Sequence, residues 1–123
     1  MYQTLKRRTL SLSALNDNLT WLRSHFKIIG YSGVSASNNK VTFTLNYDSV
    51  TQGLLIITGQ CNDDGSATYF TMTVNLNSIW NNGLLSNQAT NGTCGFDAGS
   101  KKVTVQSDYT TSGINWCNAF LIS

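Results

Sequence analysis

The residue types that carry most protein chemistry are sparse in this chain, and their spacing is poor. His25 is the only histidine. A nucleophile–histidine–carboxylate arrangement needs that ring free in a cleft. Here it precedes Phe26 near the end of an amphipathic stretch, so a place at a helix end or an interface is expected. Cys61, Cys94 and Cys117 are an odd number with no C-x-x-C pair. One histidine and three scattered cysteines match no zinc-site spacing. Disulfide frameworks show even counts, so a reduced compartment fits better, with Cys61–Cys94 and Cys94–Cys117 bridges left open. Asp63 and Asp64 are the only adjacent carboxylates. With Asn62 and Ser66 they offer hard oxygens to Ca²⁺, but neighbours on a strand point apart and serve badly as a glycosidase pair. An Asp-Gly hairpin turn is the plainer reading. Neither G-x-G-x-x-G nor a P-loop occurs. What remains is aromatic: Tyr69, Trp80, Tyr109 and Trp116 lie in or beside expected loops and strand ends, where a ring face can stack on a sugar. Together with Asp63 and Asp64 they are the candidate ligand residues, in surface loops 60–68, 78–92 and 108–116. No catalytic residue, metal site or cofactor is expected, and the chain reads as a non-enzyme.

The elements that would position these residues fall into two periods. Leu12, Leu15, Leu19, Leu22 and Phe26 are separated by 3, 4, 3 and 4 residues, the rhythm of a coiled-coil seam. Thr9 or Ser11 suits its N-cap, and Lys27 followed by Gly30 suits its end. Leu10, Ala14 and Trp21 project nearly opposite the seam at 100° per residue. A helix apolar on two sides calls for two partners. From about residue 28 the period becomes two. Val41, Phe43 and Leu45 alternate with polar residues, as do Phe70, Met72, Val74 and Leu76. Residues 53–59 are apolar on both sides and predict a central strand. Val103 and Val105 mark another strand, and residues 119–122 a last buried one. Turn residues that tolerate positive φ punctuate the chain at Asn38-Asn39, Asn62 to Gly65, Asn82-Gly83, Asn91-Gly92 and Asp97 to Gly99. Between two of these strands, Ser78-Ile79-Trp80 suits a one-turn helix or a loop that packs Trp80 inward. The expected architecture is mostly β: an antiparallel, jelly-roll-like sandwich over residues 30–123, preceded by a basic arm and amphipathic helix over residues 1–29.

Composition agrees. Charged residues are 11% of the 123, with no Glu and no Pro, while Asn, Ser and Thr fill the polar positions. Thr favours strands, and Asn and Ser favour turns. The net charge of +2 is unevenly spread. Residues 1–27 hold Lys6, Arg7, Arg8, Arg23 and Lys27 against Asp17 alone, whereas the remainder holds three lysines against five aspartates. Three clustered cations without interleaved aromatics make a weak nucleic-acid signal, so neither nucleic acid nor membrane insertion is expected. A solvated, flexible terminus is the plainer reading of Lys6, Arg7 and Arg8; with Leu10 and Trp21 they are also the candidate attachment face toward a partner protein. No run approaches the ~20 apolar residues of a membrane span, and no secretory leader is legible before the polar Asn16-Asp17-Asn18.

A leucine heptad running straight into a domain rich in Gly, Asn and Thr resembles the C-terminal head modules of bacteriophage tail fibres and other virion fibres. The stretch Gln52 to Gln60, the turn Asn62 to Ser66 and the following Ala67-Thr68-Tyr69-Phe70 are similar to the central hairpin of such heads. Trp116 to Ile122 is similar to their closing strand. The resemblance implies a homotrimer bundled through its helices, located on a virion as a fibre head, tail tip or capsid decoration. It also implies contacts with other virion proteins through the N-terminus, and with a host surface glycan or receptor through the β-domain loops. The contrasting expectation is a secreted or cell-surface, monomeric carbohydrate-binding module whose helix folds onto its own sheet.

Overall fold

The computed structural model describes all residues except Met1, Asp64 and Ile79, and side chains from Leu12 onward. Among the described residues one α-helix, α1 (Tyr2–His25), leads into nine strands: β1 (Phe26–Ile29), β2 (Tyr31–Ser37), β3 (Lys40–Leu45), β4 (Leu54–Cys61), β5 (Thr68–Asn75), β6 (Leu84–Ala89), β7 (Gly92–Asp97), β8 (Lys102–Ser107) and β9 (Ile114–Ile122). The strands form two antiparallel sheets, ordered β1-β9-β4-β5-β6 and β2-β3-β8-β7. The chain is mostly β, with a single helix at its head.

The two sheets share one apolar core. Leu55, Ile57, Phe70, Met72, Val74 and Leu121 from the five-stranded sheet meet Val41, Phe43, Phe96, Val103 and Val105 from the four-stranded sheet. Phe43 and Phe70 join the layers, ring centroids 6.3 Å apart. This face-to-face packing is that of a β-sandwich. One glycine is required for it. Gly59 is the register partner of Phe70, and a Cβ there would run into the Phe70 ring and approach the Trp116 carbonyl oxygen to 2.8 Å.

The expected strands around Val41, Gly53, Phe70, Val103 and Ala119 correspond to β3, β4, β5, β8 and β9. Residue 53–59 differs in one respect from its sequence reading. β4 is central in its sheet, but only Leu55, Ile57, Gly59 and Cys61 are buried, while Leu54 and Ile56 on the other face stay half-exposed. The turns fall where the sequence places them: Asn38, Asn62, Asn82 and Asn91 all take positive φ, between 56° and 66° for the first two.

Three local expectations are corrected. Thr9 and Ser11 do not cap the helix, because α1 already runs from Tyr2 through good helix formers such as Gln3, Leu5 and Lys6. The helix also stops at His25 rather than near Gly30. The apolar, partly β-branched Phe26-Lys27-Ile28-Ile29 pairs instead with β9, from Phe26↔Ile122 to Ile29↔Ala119. Ser123 N–H closes the joint by donating to the His25 carbonyl at 2.8 Å. Trp80 is not packed inward: it is 84% exposed, at the start of a 3-10 turn (Trp80–Gly83) whose Asn81 and Asn82 are left-handed.

Candidate assembly surface

Every residue of α1 from Leu12 to Ser24 is exposed. Leu12, Leu15, Leu19 and Leu22 are 73, 53, 41 and 48% accessible, so the seam touches none of the chain's own core. On the opposite side Trp21 is exposed as well. It stacks on His25 with centroids 4.2 Å apart, and His25 Nδ1 lies 2.7 Å from the Trp21 carbonyl oxygen. A carbonyl only accepts, so Nδ1 carries the proton and the ring is held against the helix end. The side chains of Lys6, Arg7, Arg8 and Leu10 lie outside the described residues.

Strand alternation extends the apolar surface beyond the helix. On the outer face of the five-stranded sheet, the register aligns Phe26 and Ile28 of β1 with Ile122 and Phe120 of β9, and these with Leu54 and Ile56 of β4. Phe26 stacks on Phe120, centroids 5.5 Å apart. Ile28 is 76% exposed. The next pairs on this face, Thr58 with Asn118 and Gln60 with Trp116, are polar or amphipathic. The part of this face formed by β1, β9 and β4 next to the helix is therefore apolar, bounded by Thr58 and Asn118 toward the far end and by Thr73 and Asn75 of β5 at its side.

The far end of the sandwich carries most of the candidate ligand residues. Gln60 is the register partner of both Tyr69 and Trp116, and Trp116 Nε1–H donates to Gln60 Oε1 at 2.8 Å. An aromatic–amide–aromatic row thus crosses three strands. An open groove of about 560 Å³ adjoins Tyr69 and is walled by Thr71, Gln88, Thr90 and Thr93. Tyr109 is in the β8–β9 connection at the same end. Trp80 is not with them, because the β5–β6 connection lies at the end where the helix joins. Asp63 Oδ1 and the Asn62 carbonyl both accept from Asn115 Nδ2, at 3.1 and 2.6 Å. Asp64 lies outside the described residues. Among the described residues no three His, Cys, Asp or Glu side chains cluster as metal ligands.

These loops are tied together by hydroxyl and amide groups that the sequence does not single out. Thr68 Oγ1 donates to the Asn91 carbonyl at 3.0 Å and sits 2.7 Å from Ser107 Oγ. Ser107 Oγ accepts from Tyr109 N–H at 3.1 Å. Thr68 and Ser107 are both buried, so this chain of bonds cross-links the β4–β5, β6–β7 and β8–β9 connections in a dry setting. A buried Thr or Ser looks like any surface hydroxyl in a sequence rich in both.

Cys61, Cys94 and Cys117 are free thiols. Burial pushes Cys61 up to about 11. Burial, with a smaller contribution from Cys61, pushes Cys117 up to about 12. Cys94 is also raised by burial, partly offset by backbone hydrogen bonds. Among the described residues no helix is long and apolar enough to cross a membrane. No protein-family model, curated protein or solved structure matches the chain.

Proposed function

We propose that this protein is a non-catalytic virion structural or adhesion protein: a fibre head, tail tip or capsid decoration that assembles as a homotrimer through its N-terminal helix. The observation that supports this most is the seam. A stripe of leucines at 3-4 spacing, solvent-facing from Leu12 to Leu22, is costly for a lone chain and is satisfied by like helices. The coiled coil and the number three come from the fibre-head resemblance. Leu at both seam positions does not select an oligomer number. The jelly-roll-like description of the sandwich rests on the chain's four changes of sheet, although β2–β3 and β4–β5 are plain sequential hairpins. Lys6, Arg7, Arg8, Leu10 and Trp21 are the proposed contacts to other virion proteins. The absence of catalysis is supported by where the reactive groups sit. His25 is held on Trp21, and burial keeps the thiols protonated and poorly nucleophilic. Analytical ultracentrifugation at micromolar concentration should give three chains per particle. A monomer would overturn the assignment.

A second reading, a carbohydrate-binding module, is favoured by the Tyr69–Gln60–Trp116 row and the neutral, hydroxyl- and amide-walled groove beside Tyr69. It is compatible with a trimer, in which the row serves host attachment. In its monomeric form the helix would have to lie on its own sheet, and the exposed seam weighs against that. A glycan array with wild type and Tyr69→Ala tests it: binding lost in the variant supports the site, and no binding by the wild type removes it.

A further inference from the structure

We infer that the contact between copies does not end with the helices but continues through Phe26 onto the outer face of the five-stranded sheet, where a second copy covers Ile28, Leu54, Ile56, Phe120 and Ile122. The inference rests on the self-assembly proposed above and extends it to a surface that leucine spacing does not include.

Four observations carry it. The six side chains, counting Phe26, come from three adjacent strands and lie on one face by register. None is charged, and the apolar strip stops where Thr58 and Asn118 begin. Phe26 follows Leu22 at the seam's four-residue step in sequence, and as the first residue of β1 it stacks its ring on Phe120 of the sheet. No residue separates His25 from Phe26, so copies that meet along the helix bring this face together next.

Energetic need points the same way. Four leucines over about two heptads make a marginal coiled coil, since short helices are barely stable in isolation. An oligomer stable at working concentrations needs more apolar area, and the strip is the patch directly continuous with the seam. A second copy is the occupant because the seam's Leu repeat is complementary to itself, whereas nothing on the strip carries the charge or hydrogen-bonding groups that would mark a foreign partner.

Sedimentation equilibrium of wild type, Ile28→Asp, Ile28→Thr, Leu15→Asp and Val34→Asp tests this, with far-UV circular dichroism as the check on folding. Val34 is exposed on β2 of the other sheet and serves as the control. Ile28→Asp should raise the midpoint concentration of assembly about 100-fold and Ile28→Thr about tenfold, with Val34→Asp unchanged. Ile28→Thr keeps a β-branched side chain and decides the matter should Ile28→Asp fail to fold. If Ile28→Thr and a folded Ile28→Asp assemble like wild type while Leu15→Asp dissociates, the sheet face is not part of the contact and the proposed self-assembly through the seam stands. If the wild type is a monomer, the seam reading itself fails.

Discussion

Phe26 and Phe120 stack across β1 and β9 with ring centroids 5.5 Å apart, although leucine spacing makes Phe26 the fifth residue of the helical seam. The same side chain thus ends one periodicity and begins the other. The seam and the sheet strip are therefore adjacent along the chain, with no residue between His25 and Phe26.

Disrupting the seam should separate assembly from folding. Leu15 and Leu19 touch no core residue of their own chain, so Leu15→Asp and Leu19→Asp should leave the β-domain folded. The expected product is a β-rich monomer, read by sedimentation for mass and circular dichroism for structure. A variant that unfolds outright would mean the helix packs within its own chain.

Gly59→Ala should be costly despite its small size. The added methyl meets the Phe70 ring on one side and the Trp116 carbonyl on the other, and the latter is backbone that cannot swing away. Overpacking of this kind destabilises by about 1–3 kcal/mol. Urea unfolding of the variant measures it.

Ser107→Ala should cost about 1–3 kcal/mol, because it strips a buried acceptor from Tyr109 N–H and a hydrogen-bond partner from Thr68. The damage should concentrate at the far end. Hydrogen exchange should therefore quicken in the connections after β4, β6 and β8 and leave β1 unchanged.

The thiols should be silent in the native protein. At pH 8 a disulfide-exchange reagent should modify Cys61 and Cys94 only after unfolding, when a chain-wide count of three appears. The pH dependence has a fixed sign. An unfolded thiol ionises near 9, whereas Cys61 in the fold holds its proton to about 11 and Cys117 to about 12. The native state therefore binds more protons in that window, and stability present below pH 9 is lost as pH rises through 9 to 12. Urea midpoints at pH 8 and pH 10.5 check the direction, with Cys61→Ala reducing the difference and Cys117 supplying what remains.

What the residues reveal in advance depends on where a strand sits. β3, β4, β5, β8 and β9 are all internal to their sheets, and all are legible as alternation or apolar runs. β1, β2, β6 and β7 are the four sheet edges, and none stands out. β2 is exposed at every position and broken by a bulge near Gly33, so no alternation exists to read. β6 is nearly as exposed. Glycines interrupt the Cys94–Phe96 pattern of β7, and Phe26 of β1 fits the preceding helix equally well. Of the candidate surface, the seam is visible because helical spacing fixes a stripe without reference to the rest of the fold. The sheet strip is hidden, because the unbroken apolar run from Leu54 to Ile57 looks doubly buried until the order of strands shows that only one side has a core against it. Of the two readings at Ser78 to Trp80 the structure has the single helical turn, with Trp80 outward, because hydrophobicity alone does not say which loop folds back.

The direct passage from His25 to Phe26 has a mechanical consequence. With no linker between helix and sheet, and with Ser123 N–H bonded across the joint, the chain offers no spare residues there to act as a swivel. Whatever clamps the helix also sets the bearing of the far end, where Tyr69 and Trp116 lie. A target engaged there must match a preset geometry, and inserting a few glycines after His25 would exchange that fixed aim for a wider search.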